Sequence, residues 1–316
     1  MKKAGGLVGR LATSMLGLFG VGPARTGSED KILSPDDAIM VSDMDFKSAD
    51  PEDIVQSNVY VVNALLGEYL RSKEISQAAL TSYYVDYYLT QVNNGGFSQF
   101  VFNSNWQRET VALIRQGLRD MRAPRHLALF EEGVASVEAL GDAGLAAYLS
   151  SDYSGENAVR DSLEATDGRF FALEESEDLV KLNARWLKRQ PNLRVLSEEA
   201  LRKEVERRAA ALPDRAARAQ AALDDEPRYM KLIRALCAEA GQTLQRVTAG
   251  DRTEIYDGKT IRRLSDEELQ AGKPGRAEII WYFVTDKGVH LIAEAGGRAA
   301  MFDNAARTKI AEIDAP

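Results

Sequence analysis

Apolar residues recur at three- and four-residue intervals through the first two thirds of the chain, the spacing of helices with one buried stripe. Ile54, Val55, Val59, Val62, Leu65, Leu66 and Leu70 follow Asp50-Pro51-Glu52-Asp53. Pro51 suits the first helical position there, and the acids suit the first turn. A second helix is predicted over 76–92, where Tyr83, Tyr84, Tyr87, Tyr88 and Val92 share one side and read as core. The spacing predicts further helices over 109–121, 125–140, 145–150, 163–173, 177–189 and 197–211. After Pro227 the pattern changes. A helix over 229–240 ends at Gly241, a suitable residue just past a helix C-terminus. Period-two segments then follow at 243–248, 253–256, 260–264, 277–285, 289–294 and 298–302. Asp257-Gly258 and Asp286-Lys287-Gly288 supply hairpin turns between them, and Gly296-Gly297 lies between two strands.

These elements predict an α+β protein: a mainly α-helical N-terminal domain followed by a small α+β domain with an antiparallel sheet. The boundaries expected are a flexible tail and acidic arm over 1–50, a helical domain over 51–192, a charged helical linker over 193–226, and the α+β domain over 227–316. The arm is polar and acid-rich from Ser28 to Asp53. Residues 1–24 combine Met1-Lys2-Lys3 with a Gly- and Leu-rich run that Arg10 interrupts. That run is too short for a membrane span and resembles a weak export signal. The expectation is a cytoplasmic protein, with export or membrane-surface association through this tail as the alternative.

Charge narrows the partners. The 316-residue chain carries a net charge of −8, which argues against direct nucleic-acid binding and suits a basic partner. The charge is unevenly spread. From Glu131 to Asp178 thirteen acids stand against Arg160 and Arg169, whereas from Lys181 to Arg218 eleven Lys or Arg stand against five acids. The acids singled out as partner-binding candidates are Glu131, Glu132, Glu138, Glu174, Glu175, Glu177 and Asp178.

Chemistry-bearing motifs are few. The one cysteine, Cys237, sits in an apolar helical pattern and reads as a small buried hydrophobe. His126 and His290 are far apart, and neither has a second histidine at metal-ligand spacing. Phosphate-loop, dinucleotide and EF-hand signatures are missing from the sequence. No catalytic residue, metal or cofactor is therefore assigned.

The most specific stretch is Gln91-Val92-Asn93-Asn94-Gly95-Gly96-Phe97-Ser98-Gln99-Phe100-Val101-Phe102-Asn103. Asn and Gly tolerate positive φ, so Asn93 to Gly96 should turn the chain and send Phe97, Phe100, Val101 and Phe102 into the core. The side chains of Asn93, Asn94, Gln99, Asn103 and Asn105 are expected to tie orphan backbone groups at this corner. The same residues also suit a polar pocket, so a structural corner and a binding site both stand at this point.

This stretch, with the preceding tyrosine-rich helix, resembles the signature of the DNA mimic protein family (domain of unknown function 4375). Thr110-Val111-Ala112-Leu113, the Phe170-Phe171 segment and the helix through Trp186 extend the likeness over roughly residues 76–191. The resemblance implies a mainly helical fold and an acidic homodimer that imitates the charge of DNA and occupies a DNA-binding protein. Carboxylates can stand in for phosphates because Arg and Lys bind either one by charge-assisted hydrogen bonds. The family's mimicking acids form no fixed motif, so none transfers by position. The basic stretch after Lys181 and the added C-terminal domain depart from the family pattern. The function expected is a non-enzymatic acidic interaction protein. The alternatives are an enzyme or small-ligand protein with a polar pocket around Asn94, Gln99 and Asn103, and an immunity protein that neutralises a toxin.

Overall fold

The computed structural model describes residues 37–151, 153, 156–173, 176–251, 253–265, 267–268 and 280–315. The fold is α+β, and the described residues divide into two compact units, 37–219 and 220–315.

The first unit is helical, apart from one pair of short strands. β1 (Ile39–Ser42) leads into α1 (Asp43–Lys47) and α2 (Pro51–Gly67). Asp50 caps α2 by accepting from the Glu52 N–H, with Pro51 at the first position as its fixed φ favours. A 3-10 turn at Ser72–Glu74 precedes α3 (Gln77–Asn103), α4 (Arg108–Asp120), α5 (Pro124–Ala139), α6 (Gly141–Leu149), α7 (Ala158–Leu163), α8 (Asp167–Leu173) and α9 (Leu179–Leu187). β2 (Leu193–Leu196), α10 (Glu198–Ala210) and α11 (Arg215–Asp224) follow, and the chain passes from the first unit to the second within α11. The core is built on α3, whose Leu80, Tyr83, Tyr88, Phe97, Phe100 and Val101 are buried with Ile54 and Leu65 of α2 and Phe130 of α5.

Two expectations are corrected here. Residues 37–50 are not a loose arm. β1 is fully buried and pairs in parallel with β2, Ile39 opposite Leu193, although the two strands are about 150 residues apart in sequence. The acids around Ile39-Met40-Val41 masked a short apolar strand, and Ser42 caps α1 through the Met44 and Asp45 N–H groups. Residues 1–36 lie outside the described set. Residues 193–219 are not a linker either. Leu201, Ala209 and Leu212 are buried, and so is Arg208, whose Nε donates to Glu204 at 3.2 Å. Arg218 lies under the same unit and holds buried Glu74 with two bonds of 2.6 and 2.9 Å. The apolar stripe of this segment is sparse, so its charged residues dominate the sequence pattern.

The second unit contains α12 (Arg228–Glu239) and an antiparallel sheet of order β3-β6-β7-β8-β9, formed by Leu244–Asp251, Ile280–Thr285, Gly288–Ala295, Arg298–Asp303 and Lys309–Asp314. Leu232, Ile233, Leu236 and Cys237 of α12 cover one face against Phe283, Ile292 and Met301. The hairpin of β4 (Glu254–Tyr256) and β5 (Ile261–Arg263) covers the other, with Tyr256 and Ile261 over Leu291 and Phe302. Asp257 closes that hairpin by accepting from the Lys259 and Thr260 N–H groups. Strand β9 lies beyond the last segment that the alternation predicts. Both outer strands are irregular: the β3 register shifts against β6 at two places, and the β9 register shifts against β8 near Phe302. No helix among the described residues is long and apolar enough to cross a membrane.

Candidate functional site

The Asn-Asn-Gly-Gly-Phe stretch interrupts α3 rather than ending it. Gly95 (φ −162°, ψ 30°) and Gly96 (φ 77°, ψ 177°) leave the helical region, and the helix resumes to Asn103. Gly96 is required twice over. Its positive φ disfavours a side chain, and a Cβ there would overlap the Asp167 carboxylate. That carboxylate accepts the Phe97 N–H at 3.0 Å, which satisfies one backbone donor freed by the break.

Three more side chains from distant sequence close the corner. Tyr153 donates its hydroxyl to the Gly95 carbonyl at 3.2 Å, and Tyr148 donates to the Ser98 carbonyl at 3.0 Å. The Ser98 hydroxyl donates to Glu164 Oε1 at 2.9 Å and lies 3.0 Å from the Tyr153 hydroxyl. Burial, opposed by the Phe97 N–H and reinforced by the charge of Glu164, pushes the Asp167 carboxyl above its ordinary value. Sequence reasoning missed Tyr148, Tyr153, Glu164 and Asp167, which lie 50 to 70 residues from the motif.

The amide side chains behave differently from expectation. They bond mainly to one another. Asn94 donates to Gln99 Oε1 at 3.1 Å, while Gln91 Oε1 accepts from Gln99 Nε2 at 3.1 Å and from Asn103 Nδ2 at 2.7 Å. Asn93 and Asn94 are exposed, Gln99 and Asn103 are half-buried, and Asn105 adopts a positive φ of 50° past the helix end. Phe97 and Phe100 enter an edge-to-face cluster with Tyr88, Phe130 and Trp106. Gly133 of α5 makes room for it, since a Cβ there would overlap the Phe97 ring. Each such aromatic pair adds about 0.5–1.5 kcal/mol beyond burial. The motif residues thus form a corner whose freed backbone groups are met by side chains from distant segments, while Asn93 and Asn94 stay exposed.

The candidate acids are mostly engaged within the unit. Glu131 accepts from Arg115 Nε at 2.6 Å and Nη2 at 2.9 Å, and this pairing holds its carboxyl below the usual range. Glu132 forms a two-bond pair with Arg169. Glu177 accepts from the Arg125 and His126 N–H groups at the start of α5. Asp178 caps α9 through the Lys181 N–H and pairs with its ammonium at 2.8 Å. Glu138 is exposed, as are Asp142 and Glu156. Glu174 and Glu175 lie outside the described residues.

His126 and His290 belong to different units. The His126 ring Nε2 lies 2.9 Å from the Glu177 carbonyl oxygen, and the His290 Nε2 lies 2.9 Å from the Thr285 hydroxyl. Among the described residues no group of three or more His, Cys, Asp or Glu is placed to hold a metal ion. Burial raises the Cys237 thiol above its ordinary pKa, which disfavours the reactive thiolate.

Comparison with known families finds one match: residues 73–190 fit the family described as DMP19-like protein. The matched segment runs from the turn before α3 to the end of α9 and contains the Gly95–Gly96 corner with all four of its distant partners. Neither the curated proteins nor the solved structures contain a match to the chain.

Proposed function

We propose that the helical unit is a protein-interaction module that engages a basic, DNA-binding partner by presenting carboxylates where that partner meets phosphates. The match of residues 73–190 to the DMP19-like family carries this reading, since mimicry of DNA charge is what that resemblance implies. The composition of the matched segment supports it, with 17 Asp or Glu against 12 Lys or Arg. Glu138, Asp142 and Glu156 are the acids best suited to contact a partner, because they are exposed and make no ion pair among the described residues. Glu131, Glu132, Glu177 and Asp178 serve chiefly to hold the scaffold.

The test is competition with DNA. Proteins retained on a double-stranded DNA resin at low salt are eluted with excess protein, and with a Glu138→Gln, Asp142→Asn, Glu156→Gln variant. The expected result is release of a discrete basic set by the wild-type chain, weaker release by the triple variant, and loss of the effect at about 0.5 M salt, where screening shortens the reach of exposed charges to a few ångströms. Failure of the wild-type chain to release any protein overturns the reading.

A further inference from the structure

The contact between α2 and α3 holds a second polar constellation, separate from the Gly95–Gly96 corner. Asp86 of α3 is 9% exposed and faces α2. Its one hydrogen bond comes from the Gln56 amide at a long 3.4 Å. The charged group whose field reaches it is Glu52, also an acid, and its other titratable neighbour is the Tyr83 hydroxyl of its own helix. No cation among the described residues meets it. Elsewhere the same unit treats a buried carboxylate very differently: Glu74 receives a two-bond guanidinium from Arg218. Buried carboxylates ordinarily have such partners, because desolvation of an uncompensated charge is costly.

The surroundings indicate what would complete the site. Glu52, Gln56, Tyr60 and Asn63 fall at i, i+4, i+8 and i+11 on α2, which places them along one stripe. Gln56 meets Asp86, and Asn63 accepts from the Tyr83 hydroxyl at 3.0 Å, so α2 and α3 are tied at two points along the stripe. Tyr60 lies between these two contacts and is 59% exposed. A buried acid, a second acid one turn away and an exposed aromatic ring make a set suited to a planar cation that bonds at its edge and stacks by its face.

We propose that Asp86, Glu52, Gln56 and Tyr60 form a receptor for one guanidinium group, an arginine side chain presented by the basic partner. The inference rests on the preceding reading only for the source of that arginine; the chemistry of the site is independent of it. An arginine fits better than a lysine because its fork pairs with both carboxylate oxygens while its plane covers the tyrosine ring. Burial holds the Asp86 carboxyl up at about 7, with the Glu52 charge adding to the shift and the Gln56 amide opposing it. Binding of a guanidinium at neutral pH therefore converts a partly protonated carboxyl to carboxylate and releases its proton to solvent.

The experiment follows the Asp86 carboxyl by carbon-13 NMR while the full chain is titrated with N-acetyl-arginine amide, with N-acetyl-lysine amide in parallel. The expected result is a saturable shift at Asp86 and a fall of its apparent pKa by about one unit, equivalent to tenfold tighter binding to the ionised form. The lysine compound should bind several-fold more weakly. Asp86→Asn should abolish binding and Tyr60→Ala should weaken it, both with unchanged circular dichroism. An Asp86 signal and pKa unmoved by the arginine compound, or equal binding by Asp86→Asn, overturns the inference. The outcomes separate the two proposals. A perturbed Asp86 in a chain that displaces no protein from DNA keeps the receptor and removes the mimicry. Displacement with an unperturbed Asp86 does the reverse.

Discussion

The Phe97 N–H donates to Asp167 Oδ1 at 3.0 Å across 70 residues of chain. This bond fastens the break in α3 to the first turn of α8. Asp167→Ala leaves the Phe97 donor without its acceptor, and loss of a hydrogen bond to a charged group costs about 1.5–3 kcal/mol. The expected outcome is a fall in stability of that size by urea unfolding, with Asp167→Asn closer to wild type because its amide oxygen still accepts. Equal stability of the alanine variant would show that the corner closes without this bond.

Gly96→Ala should be more damaging than Gly144→Ala. The first places a Cβ at φ 77° and against the Asp167 carboxylate, whereas Gly144 lies in α6 with only the Leu140 Cβ nearby. Strain at a left-handed position and displacement of Asp167 together should cost more than about 2 kcal/mol. Gly144→Ala gains helix propensity, opposed by the 3.2 Å approach of its Cβ to the Leu140 Cβ, and should be near neutral. Thermal melts of the two variants check the order.

Asp86 contributes a pH dependence opposite in sign to that of the paired carboxylates of the helical unit, such as Glu131 and Glu204. Its folded-state pKa of about 7 lies above the ordinary value of 3.8. Its contribution to stability is therefore fully present below about pH 4 and is lost as pH rises through 7. The full span corresponds to about 4 kcal/mol. Asp86→Asn should leave stability at pH 4 little changed and raise it progressively up to pH 8. Denaturant midpoints of both chains from pH 4 to 9 test this, and parallel pH profiles would refute it.

Arg218→Ala should be among the most harmful single changes in the helical unit. It strips Glu74, whose side chain is fully buried, of both its charge-assisted bonds, and it removes a donor to the Tyr69 carbonyl. An uncompensated buried carboxylate costs about 3–5 kcal/mol. The double variant Arg218→Met, Glu74→Gln should recover much of that loss. Chemical unfolding of the single and double variants measures the coupling.

Most of the helices were legible because a stripe such as Ile54, Val55, Val59, Val62 and Leu65 repeats with the helical period, and a capping residue or proline marks many of the ends. The C-terminal sheet was legible for the same reason, through its alternation and its Asp-Gly turn. What escaped were contacts formed between distant segments. β1 and β2 are four residues each and gain meaning only when paired. Tyr148, Tyr153, Glu164 and Asp167 carry no local sign that they close a corner 50 to 70 residues earlier. The acids show the same limit. Their number can be counted from the sequence, but the pairing of Glu131 with Arg115 and Glu132 with Arg169, which removes them from the free surface charge, depends on which helices become neighbours.

The register shifts of β3 and β9 have a practical consequence. An unbroken outer strand is a template on which a further chain can add, and colonies of such additions become insoluble. In the C-terminal unit both templates are kinked, and Lys309 and Glu312 place charge along one of them. Kinks and charge at these two edges disfavour growth of this sheet by addition of further strands.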